Sequence, residues 1–163
     1  MSGHRTTLFL VCGKIAAGKS TLAQKLAATP STVLLSEDSW LSSLYPGEIT
    51  TLEDYLQRSA RLKQVIGPHV VAVLSEGLSV VMDFPANTLR QRKWLLDLGE
   101  ASNVDHELHF VDVPDDVCKR RLQERNKSGE HPFQTDEKAF DMISRHFEPP
   151  TDAEGLNLIV HQT

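Results

Sequence analysis

A chain of 163 residues, 40% hydrophobic and 24% charged, is long enough to bury about 70% of its unfolded surface in one domain, residues 1–163, without disulfide or metal staples. The formal charge of −5 disfavours a protein that grips long nucleic acids, since that takes a basic stripe. Cys12 and Cys118 lack paired spacing and read as buried hydrophobes in a reducing compartment; the opening Met1 to Thr7 leads into only five apolar residues, too few for a signal peptide or membrane span, so a cytoplasmic location with no membrane partner is the default expectation.

In chain order, Leu8 to Cys12 is an apolar run of the length of a buried parallel strand. It leads into Gly13-Lys14-Ile15-Ala16-Ala17-Gly18-Lys19-Ser20-Thr21, which fits G-x-x-x-x-G-K-[ST]. In such a loop successive backbone N–H groups point inward at the phosphates of a nucleoside triphosphate. Lys19 reaches the β- and γ-phosphates, and the Ser20 hydroxyl ligates Mg²⁺. Leu22, Ala23, Leu26 and Ala27 then recur at helical spacing until Thr29-Pro30 stops them. Strand, glycine loop and helix in that order aim a helix N-terminus at an anion.

Val33 to Leu35 reads as a second strand, followed directly by Ser36-Glu37-Asp38-Ser39-Trp40. Ser42 to Thr50, with Pro46-Gly47, reads as a loop, and Leu52 to Ser75 as a long helix that Gly67-Pro68 breaks or bends, with Gly77 as its C-terminal cap. A third strand, Leu78 to Met82, ends on Asp83. Thr88 to Gly99 is the next helix, with Gly99 as its stop, and His106 to Val111 the fourth strand, running into Asp112-Val113-Pro114. Asp115 is the expected N-cap of a helix reaching about Asn126. Lys127 to Gln134 is a loop, Thr135 to Phe147 a helix, Glu148 to Thr151 a rigid turn and Leu156 to Val160 a last strand. Strands alternating with helices predict an α/β fold, a parallel sheet covered on both faces. Ligands bind outside the carboxyl ends of such strands, which puts Gly13–Ser20, Glu37/Asp38, Asp83 and Asp112 on one rim.

On that rim Asp83 suits a group near Mg²⁺ or its waters, or alternatively an N-cap for the next helix. Either Asp38 or Glu37 could accept a hydroxyl proton beside a γ-phosphate; a turn or capping role is the plainer alternative. Arg121 and Arg125 share a helix face and could stabilise a transferring phosphoryl, or form a solvated basic helix. With Lys119, Arg120 and Lys127 they make the one dense basic cluster, about the footprint of one triphosphate. His106 and His109 are three apart in a strand and so fall on opposite faces, which disfavours a shared metal ion.

These segments resemble the P-loop kinases of the polynucleotide kinase, zeta-toxin and AAA_33 type over nearly the whole chain. The resemblance runs through GKIAAGKST, Ser36–Asp38, Val80–Asp83, Leu108–Pro114, Arg120–Asn126 and Phe147–Pro150. It implies a three-layer P-loop NTPase fold with a five-stranded parallel sheet in the kinase-type order 2-3-1-4-5 and a small lid near 115–134. It also implies ATP and Mg²⁺ as cofactors, Asp38 as general base, and Arg121 and Arg125 as lid arginines, Arg121 also touching nucleotide. Two departures stand out: Ala16-Ala17 replaces a frequent Gly-Ser pair, and Leu41 stands where polynucleotide kinases carry a basic residue. Asn87, Arg90 and Arg92 are either substrate contacts or an exposed helix start. The expectation is a kinase of a small hydroxyl-bearing acceptor, its pocket formed by residues 41–50 and the long helix. The rivals are a 5′-hydroxyl polynucleotide kinase and a nucleotide-gated module with little turnover. The pattern specifies neither the acceptor, the choice of ATP or GTP, nor the oligomeric state.

Overall fold

The structure, a computed structural model, describes residues 4–129 and 136–162. Its centre is β1, Thr7–Cys12, with β3, Ser79–Asp83, on one side and β4, Asp105–Asp112, on the other. β2, Thr32–Ser36, and β5, Leu158–Gln162, complete a parallel five-stranded sheet in the order β2-β3-β1-β4-β5. Both faces of the central strands are apolar because both are covered. Leu8, Leu10 and Cys12 join Val80, Met82 and Leu108 in the main core, packed against α3, Leu52–Ser75, and α4, Leu89–Ser102. Val11 and Val81 face the other way, onto Ala23 of α1, Lys19–Ala27. A smaller core joins Val111 and Val113 to Cys118 and Leu122 of α5, Asp115–Ser128, and Phe140 of α6, Glu137–Ser144. Among the described residues no helix is long and apolar enough to cross a membrane.

Several boundaries differ from the expected ones for definable reasons. Residues 37–44 are α2, Glu37–Leu44, so the expected loop from Ser42 begins only after Leu44. The Ser36 side chain accepts the Ser39 N–H, and Glu37 and Asp38 fall in the first turn, where the helix dipole favours acids. Leu41, expected beside the acceptor, is instead buried in the core. The long helix is continuous through Gly67-Pro68. Pro68 is solvent-exposed, so water can serve the Gln64 carbonyl it leaves without an intrahelical donor, and Gly67 sits where α3 meets Trp94 and Leu98. Gly77 (φ 89) closes α3 as expected: its N–H reaches Leu74 O, and the Leu78 N–H reaches Val73 O.

Gly99 does not end α4. It lies inside the helix, where a Cβ would meet the Val104 carbonyl at 3.3 Å and Leu8 Cδ2 at 3.4 Å. The stop is Asn103, in the left-handed region at φ 54. Asp115 is not an N-cap either: Pro114 holds that position, and Asp115 lies in the first turn of α5. α5 runs two residues past Asn126 to Ser128 and ends at Gly129 (φ 67). Asp136 caps α6 by accepting the Ala139 N–H at 2.7 Å. The expected helix start at Thr135, and the stretch from 130 to 134 of the expected loop and lid, lie outside the described residues.

Candidate functional site

The carboxyl ends of the strands carry the loop between β1 and α1. Gly13 sits tight against the sheet: a Cβ there would lie 2.8 Å from the Val111 carbonyl, so only glycine fits. Lys14 O accepts the Ala17 N–H at 3.1 Å, closing a turn through Ile15 and Ala16. Ala16 adopts φ 62, a left-handed conformation that costs an L-residue roughly 1–2 kcal/mol. That is the structural content of the Ala16-Ala17 departure. Gly18 (φ 108) precedes α1 as its N-cap, so the first N–H groups of the helix, from Lys19, Ser20 and Thr21 onward, face the rim.

Lys19 Nζ folds back onto its own loop, donating to the carbonyls of Gly13 and Lys14. Burial pushes its ammonium below the ordinary value, while Asp83 and Asp38 act in the opposite direction. The Ser20 hydroxyl donates to Asp83 Oδ2 at 3.1 Å, which brings the two expected Mg²⁺ ligands together. Paired hard oxygen donors of this kind suit Mg²⁺, directly or through its waters.

Glu37 and Asp38 part company here. Glu37 is 1% exposed, and each of its carboxylate oxygens accepts one hydroxyl, from Tyr55 and from Ser59. Asp38 stays partly exposed on the rim, and its charge favours the charged forms of both Lys19 and Arg125. Burial pulls the Arg125 guanidinium below its ordinary value, and among the described residues Arg125 Nε is buried without a hydrogen-bond partner. Arg121 Nη1 donates to Ala17 O at 3.1 Å. Lys14 Nζ pairs with Asp115 Oδ1 at 2.7 Å, so α5 is tied to the loop at two points.

Of Asn87, Arg90 and Arg92, which the sequence offers as substrate contacts or an exposed helix start, Arg92 fits neither role. It is 0% exposed and structural: Nε and Nη2 pair with the two oxygens of Glu154 at 2.6 and 3.2 Å, and Nη1 donates to Ala86 O. Asn87 turns its side chain to the loop instead, accepting the Gly13 N–H at 3.0 Å. Arg90 is exposed at the start of α4. His106 Nε2 accepts the Asn157 N–H, whereas His109 lies between His161 and Glu107, so the two histidines have separate partners.

Sequence reasoning missed the roles of Glu37 and Asn87. A clue to Glu37 was present in Tyr55 and Ser59, four apart and hence on one face of α3. The Asn87 contact spans 74 residues of chain and leaves no local pattern.

A parallel sheet in this order, with a glycine-bracketed anion loop between the central strand and the first helix, defines a P-loop NTPase fold of the kinase-like kind. The chain belongs to the AAA_33 family, described as an AAA domain, which it matches over residues 8–150. Among solved structures it is similar to a candidate kinase from Chloroflexus aurantiacus J-10-fl: 22% identity, 98% of this chain and 88% of that one, TM-score 0.75. A chain of the Pnkp1/Rnl/Hen1 RNA repair complex is 19% identical, with 89% of this chain and 45% of that one covered and a TM-score of 0.67. The APS kinase CysC of Mycobacterium tuberculosis, in complex with AMPPNP and APS, is 18% identical, with 97% and 89% covered and a TM-score of 0.60. No curated protein matches. At these identities the structures share an architecture.

Proposed function

We propose that this chain is an ATP- and Mg²⁺-dependent kinase that transfers the γ-phosphoryl group to a hydroxyl of a small-molecule acceptor. The observation that carries the reading is one rim that holds the loop with Lys19, the Ser20–Asp83 pair at 3.1 Å, Arg121 on Ala17 O and the partly exposed Asp38, whose charge also acts on Lys19 and Arg125. A loop alone would suit an ATPase or GTPase equally. A partly exposed carboxylate beside the loop lysine adds a base for an alcohol.

In this reading the loop N–H groups from Ile15 to Thr21 hold the β-phosphate, and Lys19 exchanges its bonds to Gly13 and Lys14 for phosphate oxygens. Asp38 accepts the proton of the acceptor hydroxyl as its oxygen bonds to the γ-phosphorus and the bond to the β–γ bridging oxygen breaks. Arg121 and Arg125, on α5, stabilise the charge on the transferring group; α5 is the described part of the expected lid. Ser20 and Asp83 would hold Mg²⁺, which when bound neutralises charge on the β- and γ-phosphate oxygens. Glu37 is a poor rival for the base role, because both its oxygens are engaged in the interior. In this reading the acceptor pocket is formed by the segment that follows Leu41, up to residue 50, together with α3. The described likeness to an APS kinase bound to AMPPNP is compatible with it.

The test is ADP release with a panel of alcohol acceptors. Lys19→Ala should remove most turnover, and Asp38→Asn should lower kcat by roughly 10²–10⁴ while sparing ATP binding. Wild-type turnover by Asp38→Asn on an acceptor that the protein phosphorylates would remove Asp38 from this role. A 5′-hydroxyl polynucleotide kinase is the second reading, favoured by the likeness to the RNA repair complex. It requires labelling of an oligonucleotide and affinity that falls steeply with salt. The charge of −5 and the burial of Leu41 argue for the small acceptor. Release no faster than the water background with every alcohol would favour a nucleotide-gated module.

A further inference from the structure

Asn87 stands just ahead of Thr88, the N-cap of α4, and its side-chain oxygen points away from that helix. It accepts the Gly13 N–H at 3.0 Å and the Cys12 thiol at 3.5 Å, the last residue of β1 and the first of the loop. Beyond Cys12 the strand β1 ends, and the Gly13 amide is bonded by the Asn87 side chain. Asn87 is itself held at both backbone groups. Its N–H donates to Gln91 Oε1 at 2.9 Å, and its carbonyl accepts the Glu148 N–H at 2.8 Å. Glu148 Oε1 in turn accepts the Leu89 N–H at 3.4 Å. On the opposite side Gly13 is walled by the Val111 carbonyl.

We infer that Asn87 is a positioning residue of the phosphate loop: by holding the Gly13 N–H, while the Val111 carbonyl closes the Cα side, it fixes the angle at which the loop leaves the sheet. The inference rests on the nucleotide site proposed above. The loop's N–H groups act on phosphate oxygens as a preorganised set, and hydrogen bonds weaken steeply with misalignment. A small rotation at Gly13 is therefore felt at every donor further along. A role confined to bracing α4 would look different. Thr88 already accepts the Gln91 N–H of that helix at 3.1 Å, so loss of a brace would lower stability and leave affinity alone.

Calorimetric titration with ADP, on wild type, Asn87→Ala and Asn87→Asp well below their melting temperatures, tests this. Asn87→Ala leaves the Gly13 amide without its acceptor, and its Kd should rise about tenfold over wild type. Asn87→Asp keeps the acceptor oxygen but adds a negative charge near the phosphates. Salt screens a charge at this half-buried position only in part, so the Asn87→Asp deficit should fall between low salt and 1 M KCl without vanishing. The Asn87→Ala deficit should persist at both. Equal affinity of Asn87→Ala and wild type would overturn the inference. So would an Asn87→Asp deficit that is no smaller at 1 M KCl than at low salt, a result that decides the matter even if Asn87→Ala does not fold. If wild type itself binds no ADP, the nucleotide site falls and this inference with it; an unaltered variant beside a binding wild type removes the inference alone.

Discussion

Ser36 fixes the first turn of α2, and the two acids that follow it are thereby divided between interior and rim. Glu37 and Leu41, four apart, share the buried face; Asp38 is rotated off it. A buried carboxylate is costly unless its oxygens are bonded, and Tyr55 and Ser59 supply one hydroxyl each. Burial still outweighs those bonds and raises the Glu37 carboxyl above its ordinary 4.5. The folded state therefore holds this proton more tightly than the unfolded chain. The associated stability is fully present below about pH 4.5 and is lost as pH rises through the raised folded value. Glu37→Gln cannot titrate, so its urea midpoint relative to wild type should improve between about pH 4 and pH 7. A gap that stays constant over that range would mean that Glu37 titrates normally. The residue identities at this position were readable from the sequence; which of two adjacent acids faces inward depends on a helix phase set by a cap.

At the scale of elements, α4 and the turn before β5 are joined by a buried charge. Arg92 meets Glu154 through two nitrogens and also lies close enough to Cys12, the last residue of β1, to act on its thiol. Removing one partner strands the other away from water. Glu154→Ala should therefore cost about 3–5 kcal/mol in urea denaturation, and an effect within 0.5 kcal/mol would show the site to be wetter than its geometry implies. From the sequence Arg92 reads as a substrate contact or part of an exposed helix start, because Leu-Arg-Gln-Arg-Lys is largely polar. The burial comes from Pro149 and Glu154, about sixty residues away. The strands, by contrast, were legible to within about two residues because each is an apolar run. α2 was missed because eight residues carry too little periodicity to announce a helix.

For the whole molecule, the loop, the sheet order and the alternation of elements were carried by the motif, the apolar runs and the resemblance they supported. What pattern could not supply was the set of contacts that cross the sheet, Asn87 to Gly13 and Arg121 to Ala17, since these depend on three-dimensional closure. A ligand that binds the closed site and not the unfolded chain must stabilise the fold. ADP at a hundred times its Kd contributes about 2.7 kcal/mol, which for a chain of this size raises Tm by about 5–11 °C. Lys19→Ala should show little of that rise in a thermal scan. A full shift in the variant would show that Lys19 contributes little to ADP binding.

The central position of β1 has a kinetic corollary. Leu8 pairs with Val80 on one side and His106 on the other, so both partners lie far downstream in the chain. Neither pairing can form until a long intervening segment has been ordered or looped out, and parallel pairing of this kind is slow. Meanwhile the apolar run from Leu8 to Cys12 has two unpaired edges, which makes it an aggregation hazard during refolding. Substitutions that weaken β3 or β4 should thus slow the appearance of nucleotide binding, even though those strands supply few of the groups that touch phosphate. Residues 7–21 precede both partners in the chain, and β1 gains its second neighbour only with β4.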